Sequence, residues 1–311
     1  MNEATKGFWA MVAACVVWGL SPLFYKLLAE VPPLEVLSHR TLWSLAFFGA
    51  VLAVQGQLGA LWAALRGRGG LVIVFAALMI SVNWFLFIFS VQSGRAIEAS
   101  LGYYIFPLVA VLIGVLGFGE RLGRVQALAV GLAGLAVVTL SLGLGAAPWI
   151  ALMLAASFGL YGMVKKHLAV APVVSVAAEV LVLAPLALLW LGGLHAGLWA
   201  DARPGAVFGQ EAGTSLLLAL SGVLTGGPLM LFAYAARRVR MTTVGLVQYL
   251  NPTLQFACAT LVFAEPFTRW HAVAFGLIWL ALAIYSAASL RQPKAVARPA
   301  SSAATSGTST R

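Results

Sequence analysis

Apolar stretches of about 20 residues, the length that crosses the hydrocarbon core of a bilayer, follow one another along almost the whole chain. They fall near 7–28, 36–55, 71–91, 97–118 and 126–143, then near 148–165, 174–194, 214–236, 242–263 and 270–290. The expected fold class is therefore an all-α integral membrane protein of about ten transmembrane helices. Charge supports this directly. Only 9% of the 311 residues are charged, against about 25% in a soluble domain. So few charges cannot cover a globule of this size, and lipid must solvate much of the surface. Lys6 before the first run gives it the outline of a signal peptide. That run extends from Gly7 to about Phe24 and is followed by further spans, so it is expected to stay as a first helix.

Lys and Arg in the loops set the orientation. One side collects Lys6, Arg66, Arg68, Arg121, Arg124, Lys165, Lys166, Arg237, Arg238, Arg240 and a basic tail. The other has only Lys26, Arg95, Arg203 and Arg269 near its loops. Both termini are expected in the cytoplasm of a cell with a bacterial-type inner membrane, and an even number of spans follows. From Arg291 onward the chain is rich in Ala, Ser, Thr and Pro and reads as a disordered, basic cytoplasmic tail. The net charge of +10 is scattered through loops and tail, with no basic face interleaved with aromatics, so nucleic acid is not expected as a partner. Cys15 and Cys258 sit inside apolar runs and read as small buried hydrophobes.

The two halves repeat. Trp9, Gly19, Lys26, Leu28, Ala29 and Pro32 recur as Trp149, Gly159, Lys166, Leu168, Ala169 and Pro172, a shift of 140. Arg95, Tyr104, Pro107, Glu120, Arg124 and Gly131 recur as Arg240, Tyr249, Pro252, Glu265, Arg269 and Gly276, a shift of 145. Each repeat, 7–143 and 148–290, holds five helices, an odd number, so the second enters the membrane inverted. Inverted repeats are a recurrent plan for secondary transporters, with substrate held near the midplane between the halves.

Polar groups inside spans cost free energy and so face a cavity or a partner. Helix two carries His39 and Arg40, and helix seven carries Glu179 in the register of His39. Arg40 is a candidate for recognising an anionic group, while His39, Glu98 and Glu179 are candidates for proton coupling. The bland alternatives are that Arg40 snorkels or pairs with Glu30, Glu35 or Glu98, and that Glu98 serves the positive N-terminus of its helix. Gly102 and Gly245 permit close approach by a helix or ligand. Pro107 and Pro252 lie at matching depth in helices four and nine, where each is expected to kink its helix and free a carbonyl. Gln248, Asn251 and Gln255, spaced i, i+3 and i+7, would share one helical face. Tyr103, Phe106 and Ala110 occupy the matching places in the first half. Tyr104, Asn83, Trp84, Tyr161 and Tyr234 complete the expected lining, although amides in lipid also tie helices together. Trp9, Trp149 and Trp270 read as interfacial anchors. No P-loop, partnered nucleophile, or His/Cys spacing for a metal or haem is present, so no enzyme activity and no cofactor are expected.

On these residues the chain resembles the RarD branch of the EamA family, within the drug/metabolite transporter superfamily. The resemblance covers nearly all of 7–290. Its specific stretches are His39-Arg40 with Trp43-Ser44, Asn83-Trp84 with Leu86-Phe87-Ile88, and Glu98 to Tyr103. Pro107-Leu108, Gly119-Glu120-Arg121, Tyr161-Gly162, Gln248-Tyr249 and Pro252-Thr253-Leu254 add to them. The resemblance implies two inverted five-helix EamA-type repeats and the carriage of small metabolites or drugs by ion gradients. It supplies no catalytic residues.

The reading that follows is a secondary, proton-coupled transporter exporting a small metabolite or drug by alternating access, around a cavity lined by helices one to four and six to nine. Helices five and ten, almost free of polar groups, are expected to face membrane lipid or a second protomer in a homodimer. A membrane ligand sensor or assembly factor, an integral-membrane enzyme and a passive channel are the rival readings.

Overall fold

Helices start and stop where the chain supplies caps or loses the capacity to continue. The computed structural model describes residues 2–66, 68–118, 123–165, 168–198 and 206–291. The Asn2 side chain accepts the Thr5 N–H at 2.8 Å and opens α1 (Glu3–Leu27). Pro33 and Pro172 occupy the first positions of α2 (Pro33–Val54) and α8 (Pro172–His195), where a missing N–H costs nothing. Between them lie α3 (Leu58–Leu65), α4 (Arg68–Gln92), α5 (Ala96–Phe118), α6 (Arg124–Leu144) and α7 (Trp149–Lys165). Gly145, at φ 69°, closes α6 in the left-handed conformation that glycine adopts without strain. The second half continues with α9 (Ala212–Ala236), α10 (Met241–Gln248), α11 (Leu250–Ala257), a π-helical turn at Cys258–Val262, and α12 (Arg269–Arg291).

Among the described residues, eight helices are long and apolar enough to cross a membrane. The shorter apolar helix α7 and the broken α10–α11 segment complete two sets of five. The protein is a multi-pass, all-helical membrane protein built from two repeats. Most of the extensive packing runs between the repeats rather than within them: α5 against α7, α1 against α9 and α11, α2 against α8 and α9, α4 against α7, and α6 against α12. Exchanging the repeats maps α5–α7 onto α11–α1, and α1–α9 onto α7–α4. That exchange is the geometric signature of an internal two-fold axis.

Three features of the structure go beyond the sequence reading. Span nine is interrupted at Tyr249, whose backbone stays in the right-handed helical region (φ -66°, ψ -15°) while one hydrogen bond of the ladder is lost, and its last residues widen into the π turn. The cause lies in sequence: Pro252 has no N–H to give the Gln248 carbonyl, so the ladder is interrupted there. Pro252 then sits in the first turn of α11, where proline is tolerated, while α5 runs unbroken through Pro107. The matched prolines thus act differently. The connection 56–70 contains a helix, α3, whose Leu61 and Ala64 are buried against α8. Helices α6 and α12 are not wholly lipid-facing, since they pack on each other through Ala129, Ala136, Ile278 and Ala281. Their other faces, with Leu128, Leu135, Val273 and Trp279, remain exposed.

Same-side contacts define the two ends of the bundle. Arg238 donates to Glu3 at 2.8 Å at one end. At the other, Gln92 donates to the Leu28 and Val31 carbonyls, and Glu35 accepts the Val207 N–H. Glu120, Arg121, Lys166, Arg203 and the tail beyond residue 291 lie outside the described residues.

Candidate functional site

Arg40 sits two turns into α2, is 7% exposed, and faces the interior. Its Nε donates to Thr225 Oγ1 of α9 at 2.9 Å, and Thr225 in turn donates to the Ser221 carbonyl. The guanidinium lies 4.1 Å from the Trp84 ring centroid and 5.7 Å from that of Tyr25. Such stacking on aromatic faces suits a planar cation. No carboxylate among the described residues lies within 4.0 Å of it. Glu35 is engaged by Val207, Glu98 by Arg95 at 2.6 Å, and Glu30 forms no ion pair among the described residues, so none of the three pairings offered for Arg40 forms. A buried cation held only by a hydroxyl and two rings is an electrostatic deficit that an anion can fill.

The wall beside it is hydrogen-bonded rigidly. Tyr103 donates to Asn83 Oδ1 at 2.9 Å, and Asn83 Nδ2 donates to the Leu154 carbonyl and to Ser157. Tyr103 packs edge-on against Phe87 and Phe158. Gly102 brings the backbone of α5 against α7, where a Cβ would lie 2.8 Å from the Ala151 carbonyl oxygen. Arg40, Trp84, Asn83 and Tyr103 therefore belong to one region built by α2, α4 and α5, with α7 behind it.

The remaining sequence candidates lie elsewhere. Tyr104 shares a 2.7 Å hydrogen bond with Thr253 and packs against Phe275, on the α11–α12 side. Gln255 donates to Asn251 at 2.9 Å, its own Oε1 buried with no hydrogen-bond partner among the described residues, and Gln248 closes the preceding helix α10. Tyr161 donates to Glu179 Oε2 at 3.0 Å. Glu179 Oε1 accepts from Lys165 at 2.6 Å and from Ser175 at 2.9 Å. Glu179 is fully buried in this α7–α8 cluster, at the opposite end of the bundle from Glu35. His39 stacks on Phe208 at 4.6 Å, and its buried Nε2 has no hydrogen-bond partner among the described residues. Arg95, besides holding Glu98, lies over Trp149. The N-terminus of α5 is served by Glu265, whose two oxygens accept the Ala96 and Ile97 N–H groups at 2.7 and 2.8 Å. Burial pushes the Glu265 carboxyl above its ordinary range despite these donors.

Sequence reasoning missed Tyr25, Thr225 and the pairing of Lys165 with Glu179. Tyr25 carries a faint signal, because the 140-residue shift places it opposite Lys165. Thr225 is flagged only by the Gly226-Gly227-Pro228 that follows it.

The model of the EamA-like transporter family matches residues 5–142 and again 146–287, nearly the whole chain in two copies. The chain belongs to the EamA-like transporter family. Among its EamA relatives, the protein RarD of Streptomyces exfoliatus is 43% identical over 93% of this chain and 91% of its own. YojE, an uncharacterized transporter of Bacillus subtilis, is 39% identical over 94% and 97%. The RarD protein of Escherichia coli is 36% identical over 91% and 95%. A crystal structure at 18% identity superposes with a TM-score of 0.60, covering 93% of this chain and 99% of that one, which speaks to the EamA fold alone. The protein is a RarD-like EamA membrane transporter of the drug/metabolite class.

Proposed function

We propose that this transporter carries a small solute with an anionic group, which Arg40 recognises at the junction of the two repeats. The observation that carries this is Arg40 itself: buried, over the rings of Trp84 and Tyr25, and held by Thr225 with no carboxylate within 4.0 Å among the described residues. A planar guanidinium offers forked donors to a carboxylate or phosphate, and the aromatic faces around it suit a solute with an apolar part. Arg40 and Thr225 come from opposite repeats, so rocking one repeat against the other would expose the site to each side in turn, as in alternating access. The chain carries no nucleotide-binding motif, and transport in this reading is secondary.

Proton coupling is carried by Glu179. Protonating it would release Lys165 and loosen α7 from α8, a change in packing tied to charge. His39, whose buried Nε2 has no hydrogen-bond partner among the described residues, is the second candidate to exchange a proton, on the Glu35–Val207 side.

Export from the cytoplasm across the inner membrane is read by comparing the growth medium of cells overproducing the native protein with that of cells carrying Arg40→Ala at equal membrane levels. A solute enriched outside only the native cells, and lost when the proton gradient is collapsed, names the cargo. Equal media overturn constitutive export. Transport by Glu179→Gln that keeps its native dependence on a pH gradient removes Glu179 from coupling.

A further inference from the structure

A groove of ≈ 800 Å³ runs along the outside of the bundle between α1 and α9, and its lining is almost wholly apolar. On α9 the lining recurs at Leu220, Val223, Leu224, Gly227, Leu231 and Tyr234. That is one continuous helical stripe, about 20 Å long at 1.5 Å per residue. Leu220, Val223 and Leu231 are exposed on the surface that meets lipid. Gly227 leaves the groove open, because a Cβ built there meets nothing within 4 Å, whereas at neighbouring Gly226 it would collide with Phe47.

The groove adjoins the Arg40 region through consecutive residues. Phe24 and Leu224 line it, while Tyr25 and Thr225, the next residue on each helix, contact Arg40. Phe24 packs edge-on against Tyr25 at 5.4 Å. Pro228 has no N–H for the Leu224 carbonyl, so α9 is weakest where the groove passes Thr225.

We propose that the substrate is a single-tailed amphiphilic anion, its charged group at Arg40 and its apolar tail in the α1–α9 groove, entering sideways from the membrane. The inference rests on the Arg40 reading and specifies its substrate class. Charge complementarity selects an anion over a neutral or cationic amphiphile. Depth selects one tail over two. A phospholipid's second chain and headgroup hold it at the water interface, whereas Arg40 lies about 10 Å inside the start of α2.

The test places the protein in nanodiscs of phosphatidylcholine and photolabels it with a long-chain carboxylic acid carrying a diazirine in its tail. The matching primary alcohol serves as the uncharged probe. Labelled peptides are mapped for the wild type, Arg40→Gln, Gly227→Leu and, as a control, Gly131→Leu, which fills equally open space on α6. The expected result is carboxylate labelling of the α1 and α9 groove peptides that falls at least fivefold in both Arg40→Gln and Gly227→Leu. Gly131→Leu should leave it unchanged, and alcohol labelling should ignore Arg40. If Gly227→Leu keeps full carboxylate labelling of the groove peptides, the groove proposal is overturned, and a loss in Arg40→Gln alone leaves the Arg40 reading standing. If carboxylate labelling of the groove is the same with and without Arg40, the groove is a lipid contact and the amphiphile proposal falls, while the Arg40 reading is decided separately by the Arg40→Ala medium comparison. Gly227→Leu decides the groove even should Arg40→Gln fail to fold, since its side chain enters open space.

Discussion

Arg40 and Thr225 are separated by 185 residues and belong to opposite repeats, yet they meet through a 2.9 Å hydrogen bond that is the guanidinium's one polar contact among the described residues. The bond joins the two halves at the point where a charge is left without a counter-charge. Several consequences of this arrangement, and of its neighbours, can be measured.

Arg40→Met keeps an unbranched apolar side chain of similar length and removes a buried cation that no carboxylate among the described residues neutralises. Replacing buried ionic groups by apolar ones of like volume is neutral or stabilising by about 1–4 kcal/mol. The unliganded variant should therefore melt at or above the native temperature in a detergent thermal-shift assay while losing transport. A drop equivalent to more than about 2 kcal/mol would mark Arg40 as structural. Arg40→Lys retains charge but forfeits the stack on Trp84 and the forked donors, so it should recover little function.

Lys165 and Glu179 give the opposite result. Removing one partner of a buried pair strands the other and costs about 3–5 kcal/mol. Lys165→Met should destabilise strongly, and Lys165→Met with Glu179→Gln should recover much of the loss. Additive losses in that double-mutant cycle would show that the 2.6 Å pair contributes no coupling energy.

Ala264 has φ 51°, the left-handed region that costs a non-glycine residue about 1–2 kcal/mol. It terminates the π turn of span nine, and the first repeat has Gly119 at the matching position. Ala264→Gly should raise the melting temperature. Unchanged or lower stability would mean that the added backbone freedom offsets the relief.

Glu265 caps α5 from the far end of the other repeat. Glu265→Ala leaves two buried N–H groups without partners and should cost about 1–2 kcal/mol, as lost helix caps do. Because burial already pushes this carboxyl up, the neutral Glu265→Gln, which retains an acceptor, should cost less than half as much. Equal losses for Ala and Gln would instead assign the stabilisation to the negative charge.

The comparison of sequence with structure divides along the range of the interactions involved. Arg40 was legible because an arginine in an apolar helix has few neutral explanations, and Trp84 and Asn83 stood out in the same way. The amide series Gln248, Asn251 and Gln255 was legible as a pattern, whereas the Gln255–Asn251 hydrogen bond and the loss of one ladder bond at Pro252 depend on the folded segment. For Glu98, a candidate for proton coupling, the sequence also offered the N-terminus of its own helix, and that second role falls to Glu265, which is 167 residues away in sequence and arrives only when the repeats close together.

What the sequence determined by itself was the solvent, the spans and the repeat, because hydrophobic length and internal similarity are local properties of the chain. Tertiary structure decided which polar groups are satisfied. It gave Glu179 to Lys165, Glu98 to Arg95 and Glu35 to the Val207 backbone, and left Arg40 between two rings with a hydroxyl. The physical reason is that the free energy of a buried charge depends on what lies within a few ångströms of it. In this fold Thr225 and Val207 reach Arg40 and Glu35 from the other half of the chain, while Lys165, Arg95 and both rings come from the same half by way of neighbouring helices or turns.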